Sequence, residues 1–191
     1  MVSVSTAGAA GTLRVAVWRK LRSLGALYLQ QSVCVLPARP EVLRQVRRLA
    51  DRVHHQGGSA RVMHIAFTDP GEATQVVAEM NAARDIEYGE VLERLPALSA
   101  EIAMERGRGR ATYAEVEESE ADLERFRSWL AKIATRDYFG AARKDQAHRA
   151  VDAAAQVLAE FEAQALRSED PATPATEPAE PGSALRVVEE R

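Results

Sequence analysis

A chain of 191 residues, 46% apolar and 28% charged, holds one domain with its own core, or a small sheet unit with a helical extension, and has no room for two large domains. Aromatic residues make up only 5%; beside abundant Ala, Leu, Arg and Glu, that favours helices over an all-β fold and argues against a broad aromatic platform for single-stranded nucleic acid. The formal charge of −3 hides an asymmetry: residues 1–65 carry ten Lys/Arg against Glu41 and Asp51, whereas residues 66–191 carry 15 bases and 26 acids.

No apolar run approaches the roughly 18–20 residues of a membrane helix, so no membrane partner is expected. Met1 to Arg22 has no basic stretch before its apolar residues, and Arg14, Arg19 and Lys20 interrupt them, which argues against a signal peptide. One cysteine, Cys34, supports neither an internal disulfide nor a thiolate zinc site. A cytoplasmic location is expected.

In chain order, Met1–Ser5 reads as a short strand and Thr6–Thr12 as a loop. Leu13, Val17, Leu21 and Leu24 share one face of a helix that Gly25 ends. Ala26–Pro37 is rich in β-formers and is either one long strand or two short ones joined at Gln30 and Gln31. Pro40 and Glu41 open a second helix whose inward stripe is Val42, Val46, Leu49 and Val53; Arg44, Arg47, Arg48, His55 and, toward one edge, Arg52 fan across its outer side. Gly57-Gly58 stops it, and Ala60–Phe67 returns as a strand. This β-α-β-β-α-β order predicts a ferredoxin-like α+β unit over residues 1–67, one sheet covered by two helices.

Residues 68–167 change character, with long helical patterns replacing short alternating ones. Asp69-Pro70 begins a helix running to about Arg106, with Val91, Leu95, Leu98 and Ile102 inward and Pro96 placed to kink or divide it. Two more helices are predicted, about Glu117–Arg136 and Lys144–Leu166, with Asp137–Gly140 (DYFG) as a hinge between them. This helical extension is expected to pack on the sheet unit. Residues 168–191, rich in Pro, Ala, Thr and Glu, read as a disordered acidic tail.

Catalytic templates are missing: no Walker loop, no GxGxxG after a strand, no GxSxG and no HExxH. The chain therefore reads as a non-enzyme without a cofactor or metal. Cys34, in an apolar strand, reads as a buried packing residue. Asp51, His54 and His55 have ligand spacing but lie off the inward stripe with no fourth ligand. The acids Glu115, Glu117, Glu118, Glu120 and Asp122 read as a solvated helix start, favoured by the helix macrodipole.

Leu13–Leu21 (LRVAVWRKL) followed by Leu24–Pro37 (LGALYLQQSVCVLP) resembles the N-terminal domain of the ChrB family of bacterial chromate-resistance regulators. The resemblance continues through Asn81–Tyr88 (NAARDIEY), Thr112–Glu118 (TYAEVEE) and Trp129–Gly140 (WLAKIATRDYFG), in the same order along the chain. It implies a cytoplasmic regulator that binds promoter DNA and releases it when chromate is present. It also implies a second domain, for which a separate ChrB C-terminal-type chain is the expected partner.

Two functions are carried forward. In the first, Arg19, Arg22, Arg44, Arg47, Arg48 and Arg52 contact DNA phosphates. In the second, the protein binds no DNA and senses chromate or another oxyanion, acting through a partner chain or a homodimer joined basic face to acidic helices.

Overall fold

The computed structural model describes residues 1–9, 11–108 and 112–169; the expected acidic tail lies outside them, apart from the end of the last helix. Four strands and five helices follow one another as β1 (Val2–Ser5), α1 (Gly11–Ser23), β2 (Leu27–Gln30), β3 (Val33–Val35), α2 (Pro40–His55), β4 (Ser59–Val62), α3 (Pro70–Gly107), α4 (Tyr113–Ala134) and α5 (Lys144–Glu169). The strands form one antiparallel sheet in the order β2-β3-β1-β4. That is the ferredoxin-like arrangement expected from the element order, followed by the long helices.

Local chemistry sets the breaks. α1 and α2 both end in Schellman turns: Ala26 N–H donates to the Leu21 carbonyl and Gly25 N–H to Arg22, and Gly58 N–H donates to Val53 and Gly57 N–H to His54. Gly25 and Gly57 take φ of +72° and +80°, a region costly for residues with a Cβ. The segment 26–37 is two strands, with a register irregularity between Tyr28 and Gln30. β4 is shorter than the expected Ala60–Phe67. Among the described residues it pairs with β1, whose residues from Val2 to Ser5 face Val62 to Ser59, and one further exchange joins Met1 and Met63.

The first core lies between the sheet and α1/α2 and contains all eight predicted inward residues of those helices, together with Val2, Cys34 and Ala60. A second core fills the bundle of α3, α4 and α5. Buried residues recur there at alternating intervals of three and four: Tyr88, Val91, Leu95, Leu98 and Ile102 on α3, and Ala147, Val151, Ala154, Leu158, Phe161 and Ala165 on α5. Such spacing keeps one seam facing its neighbours along the full length of the helices. Pro96 does not divide α3, which is helical from Pro70 to Gly107 with the proline exposed inside it.

α4 begins one turn before the predicted Glu117. Thr112 accepts from Glu115 N–H while Glu115 accepts from Thr112 N–H, a reciprocal capping box. Only Glu115 therefore stands in the first turn. The macrodipole accounts for this one acid of the expected cluster, and Glu117, Glu118, Glu120 and Asp122 lie too far along the helix for it.

The two cores meet at a polar junction built from three distant parts of the chain. Arg84, buried on α3, donates to Glu87 at 3.0 Å, and Arg136 at the end of α4 grips the other oxygen of Glu87 at 2.8 and 3.0 Å. Tyr88 donates to Asp137, whose other oxygen accepts from the backbone N–H groups of Gly140 and Ala141. Tyr138 then reaches the sheet unit, donating its hydroxyl to the Leu24 carbonyl at 2.9 Å, and Arg39 donates to the Tyr138 carbonyl while stacking over its ring. The expected DYFG hinge is thus a docked clamp. Gly25 is needed beneath it, since a Cβ there would lie 3.0 Å from both Arg136 Cβ and Arg84 Nη1.

The carboxylate of Glu87 faces two guanidiniums in a site where all three side chains are at most 19% exposed. Removing it leaves two poorly solvated cations without their common partner. Glu87→Ala is expected to destabilise the fold by about 3 kcal/mol, read as a lowered urea midpoint in chemical denaturation.

Candidate functional site

α1 and α2 lie side by side over the sheet, and their buried stripes leave the opposite faces to solvent. All six predicted site residues, Arg19, Arg22, Arg44, Arg47, Arg48 and Arg52, are exposed on this two-helix layer. The structure does not gather them at one point. Arg48 and Arg52 flank the groove between the helices with Lys20, Gln45 and Leu49, Arg19 and Arg44 project from the helix crests, Arg47 borders a cleft on the β4 side, and Arg22 stacks over Trp18 on the far flank of α1.

Their electrostatic setting is unlike that of the bundle. The five ion pairs among the described residues, Arg84–Glu87, Arg106–Glu160, Arg125–Asp122, Arg127–Glu124 and Arg136–Glu87, all belong to α3, α4, α5 or the turn after α4. None involves a cation of α1 or α2. Lys20 is tied only to a neutral group, Gln45 Oε1 at 2.6 Å. The surface therefore carries Arg44, Arg47, Arg48 and Arg52 without ion-pair partners among the described residues along α2, a helix about 24 Å long that also bears Glu41 and Asp51.

Besides Arg14 near the start of α1, two cations close to α2 were absent from the sequence-derived set. Lys20 sits on the side of α1 facing α2, a position visible in the helical period of α1 once the two helices are known to be neighbours. Arg39, just before α2, owes its place to Tyr138, 99 residues away, and no local pattern announces it. Lys20 and Arg39 line a cleft of about 340 Å³ between the α2 start and the 134–138 segment, but Glu41 and Asp137 line it too, so its charge is mixed.

The other candidates separate from this face. His55 Nδ1–H donates to the Asp51 carbonyl at 2.7 Å, and His54 Nε2 lies 3.0 Å from the Ala60 carbonyl where β4 begins. Both rings are engaged with backbone, and among the described residues no three His, Cys, Asp or Glu are grouped to hold a metal. Glu105, among Glu115, Glu101 and Glu118 and partly buried, has its pKa raised, by desolvation first and by those like charges second. Cys34 is fully buried, and burial pushes its thiol up to about 11.

What the fold and this surface define is an α+β domain with an unpaired basic helical layer, braced by a charge-paired helical bundle. Residues 14–171 match the family described as Protein ChrB, N-terminal. The chain belongs to that family, and membership associates it with chromate resistance. No curated protein and no solved structure matches the chain. Segments that carry the resemblance, Leu24–Pro37, Asn81–Tyr88 and Trp129–Gly140, supply Leu24, Gly25, Arg84, Glu87, Tyr88, Arg136 and Tyr138 of the junction. Among the described residues no helix is long and apolar enough to cross a membrane.

A raised thiol pKa favours the neutral form in the fold, so its stabilising contribution is full below the unfolded value of about 8.5 and is lost as pH rises through about 11. At pH 8 the folded thiolate fraction is roughly two hundredfold below that of an unfolded cysteine. Iodoacetamide is expected to modify Cys34 at least that much more slowly in the folded protein than in urea, measured by intact mass against time.

Proposed function

We propose that this protein is a regulator of chromate resistance that binds promoter DNA through the outer layer of α1 and α2, acting by binding and not by catalysis. The observation that carries the reading is the absence of any carboxylate partner, among the described residues, for the six exposed arginines, while the ion pairs are all formed elsewhere. Unpaired guanidiniums on a helical surface are the donors that phosphate oxygens accept. Arg48 and Arg52, with Lys20 across the groove, form the centre of the contact; Arg19, Arg22, Arg44 and Arg47 extend it. Contacts of this kind position the protein on the duplex.

Fluorescence anisotropy with a labelled promoter fragment tests this directly. Log K is expected to fall against log salt with a slope of about −4 to −5, from some five neutralised phosphates at about −0.9 each. Arg48→Ala and Arg52→Ala should each make the slope shallower by about 1 and weaken all sequences alike. A flat plot would remove DNA from the reading.

A second reading, an oxyanion sensor acting through a partner chain, has one specific support: the cleft that brings Lys20 and Arg39 to the start of α2. Its carboxylates, Glu41 and Asp137, weigh against a dianion. Titration calorimetry with chromate and with sulfate tests it: saturable binding of chromate, lost in Arg39→Ala, in a protein whose DNA titration is flat would favour the sensor.

A further inference from the structure

A groove on the other flank of α1, away from α2, is not accounted for by the basic layer. It measures about 580 Å³ and runs between α1 and the edge strand β2. Its floor is part of the first core: Val17 and Leu21 from α1, and Cys34 from β3, all buried. Tyr28 pairs with Cys34 across the β2–β3 ladder, so both side chains stand on the sheet face that α1 covers. Tyr28 nevertheless remains 36% exposed; Trp18 and Val15 form the opposite wall, 46% and 45% exposed. Aromatic and branched side chains with a core floor and no protein segment over them keep apolar area in contact with water that a ligand would remove.

The polar groups of the groove are few. Ser5, Thr6, Gln31 and Ser32 offer neutral donors and acceptors, and Arg14 is the only charged residue in its lining. Its one hydrogen bond is a long contact from Nε to Thr6 Oγ1, 3.4 Å, and no carboxylate pairs with it among the described residues. The terminal Nη groups of a guanidinium so placed fit a carboxylate with two parallel hydrogen bonds. A groove of this volume with an apolar body and a small number of fixed polar groups has the proportions of a small-molecule site.

We propose that this groove binds a small amphipathic carboxylate, its ring or alkyl body against Val17, Trp18, Leu21, Tyr28 and Cys34 and its head on Arg14. The site is separate from the DNA-binding reading and stands or falls without it. A second copy of the chain is a poorer occupant, because it would bring the same cationic rim of Arg14, Arg19 and Arg22 against itself.

The test is calorimetric titration of the full chain with benzoate, octanoate and 2-naphthoate, each beside its primary carboxamide. At least one acid is expected to bind one to one with a Kd below about 1 mM, and its amide at least about tenfold more weakly. Arg14→Gln, at an exposed position, should weaken the acid about tenfold and leave the amide unchanged, whereas Arg61→Gln, exposed on β4 at the opposite edge of the sheet, should change neither. The proposal is overturned if no acid binds, if acid and amide bind alike, or if the two arginine variants lose equal affinity.

Discussion

Glu87 is the carboxylate on which the relation between the two halves of this protein depends. It holds Arg84 of its own helix and Arg136 at the end of α4, and thereby sets the start of the segment that carries Asp137 and Tyr138 into place. An ion cluster of this kind is not a large net source of stability, since desolvation offsets most of the attraction. Burial lowers the pKa of Arg84, and the neighbouring Glu87 works in the opposite direction. Its importance is geometric: two guanidiniums sharing one carboxylate admit few arrangements, so the clamp meets Leu24 and Arg39 in one orientation.

α3 makes that arrangement possible. At 38 residues and about 57 Å, it starts beside the sheet, touching β2, and continues as the spine of the bundle. Most helical stability in proteins comes from tertiary packing, and α3 is stabilised by the seam it shares with α4 and α5. Small residues on α5, Ala147, Ala154 and Ala165, are buried in that seam, where larger side chains would hold the helices further apart. The unbroken course through Pro96 follows from the same packing, which keeps Leu95 and Leu98 inward on either side of the exposed ring.

The secondary structure and both cores were legible in the sequence because they rest on periodicity, which is local. Val42, Val46, Leu49 and Val53 announce their burial by spacing alone. The length of β4 was not legible, because it is set by a partner strand 57 residues upstream. The start of α4 could have been read from Thr112 and Glu115, a capping box in plain sight. The clamp could not. DYFG looks like a hinge in isolation, with an aspartate, two aromatics and a glycine, and only the fold shows Tyr138 against Leu24, 114 positions earlier. The six arginines were legible as an outward set on two helices; their lack of partners became visible only when the ion pairs of the bundle could be located. The groove behind Trp18 was not legible, since it forms only where α1 and the edge strand β2 come together in the fold.

The separation of unpaired cations at the sheet end from excess carboxylates along the bundle also gives the molecule a direction. In a field set up by a dense row of negative charge, such a body experiences a torque before it makes contact, turning α1 and α2 forward and the bundle to the rear. Orientation of this kind acts on the rate of encounter and fades as salt shortens the reach of the field to about 8 Å at physiological strength. Because the junction holds sheet and bundle in a fixed relation, the whole molecule would turn as one body.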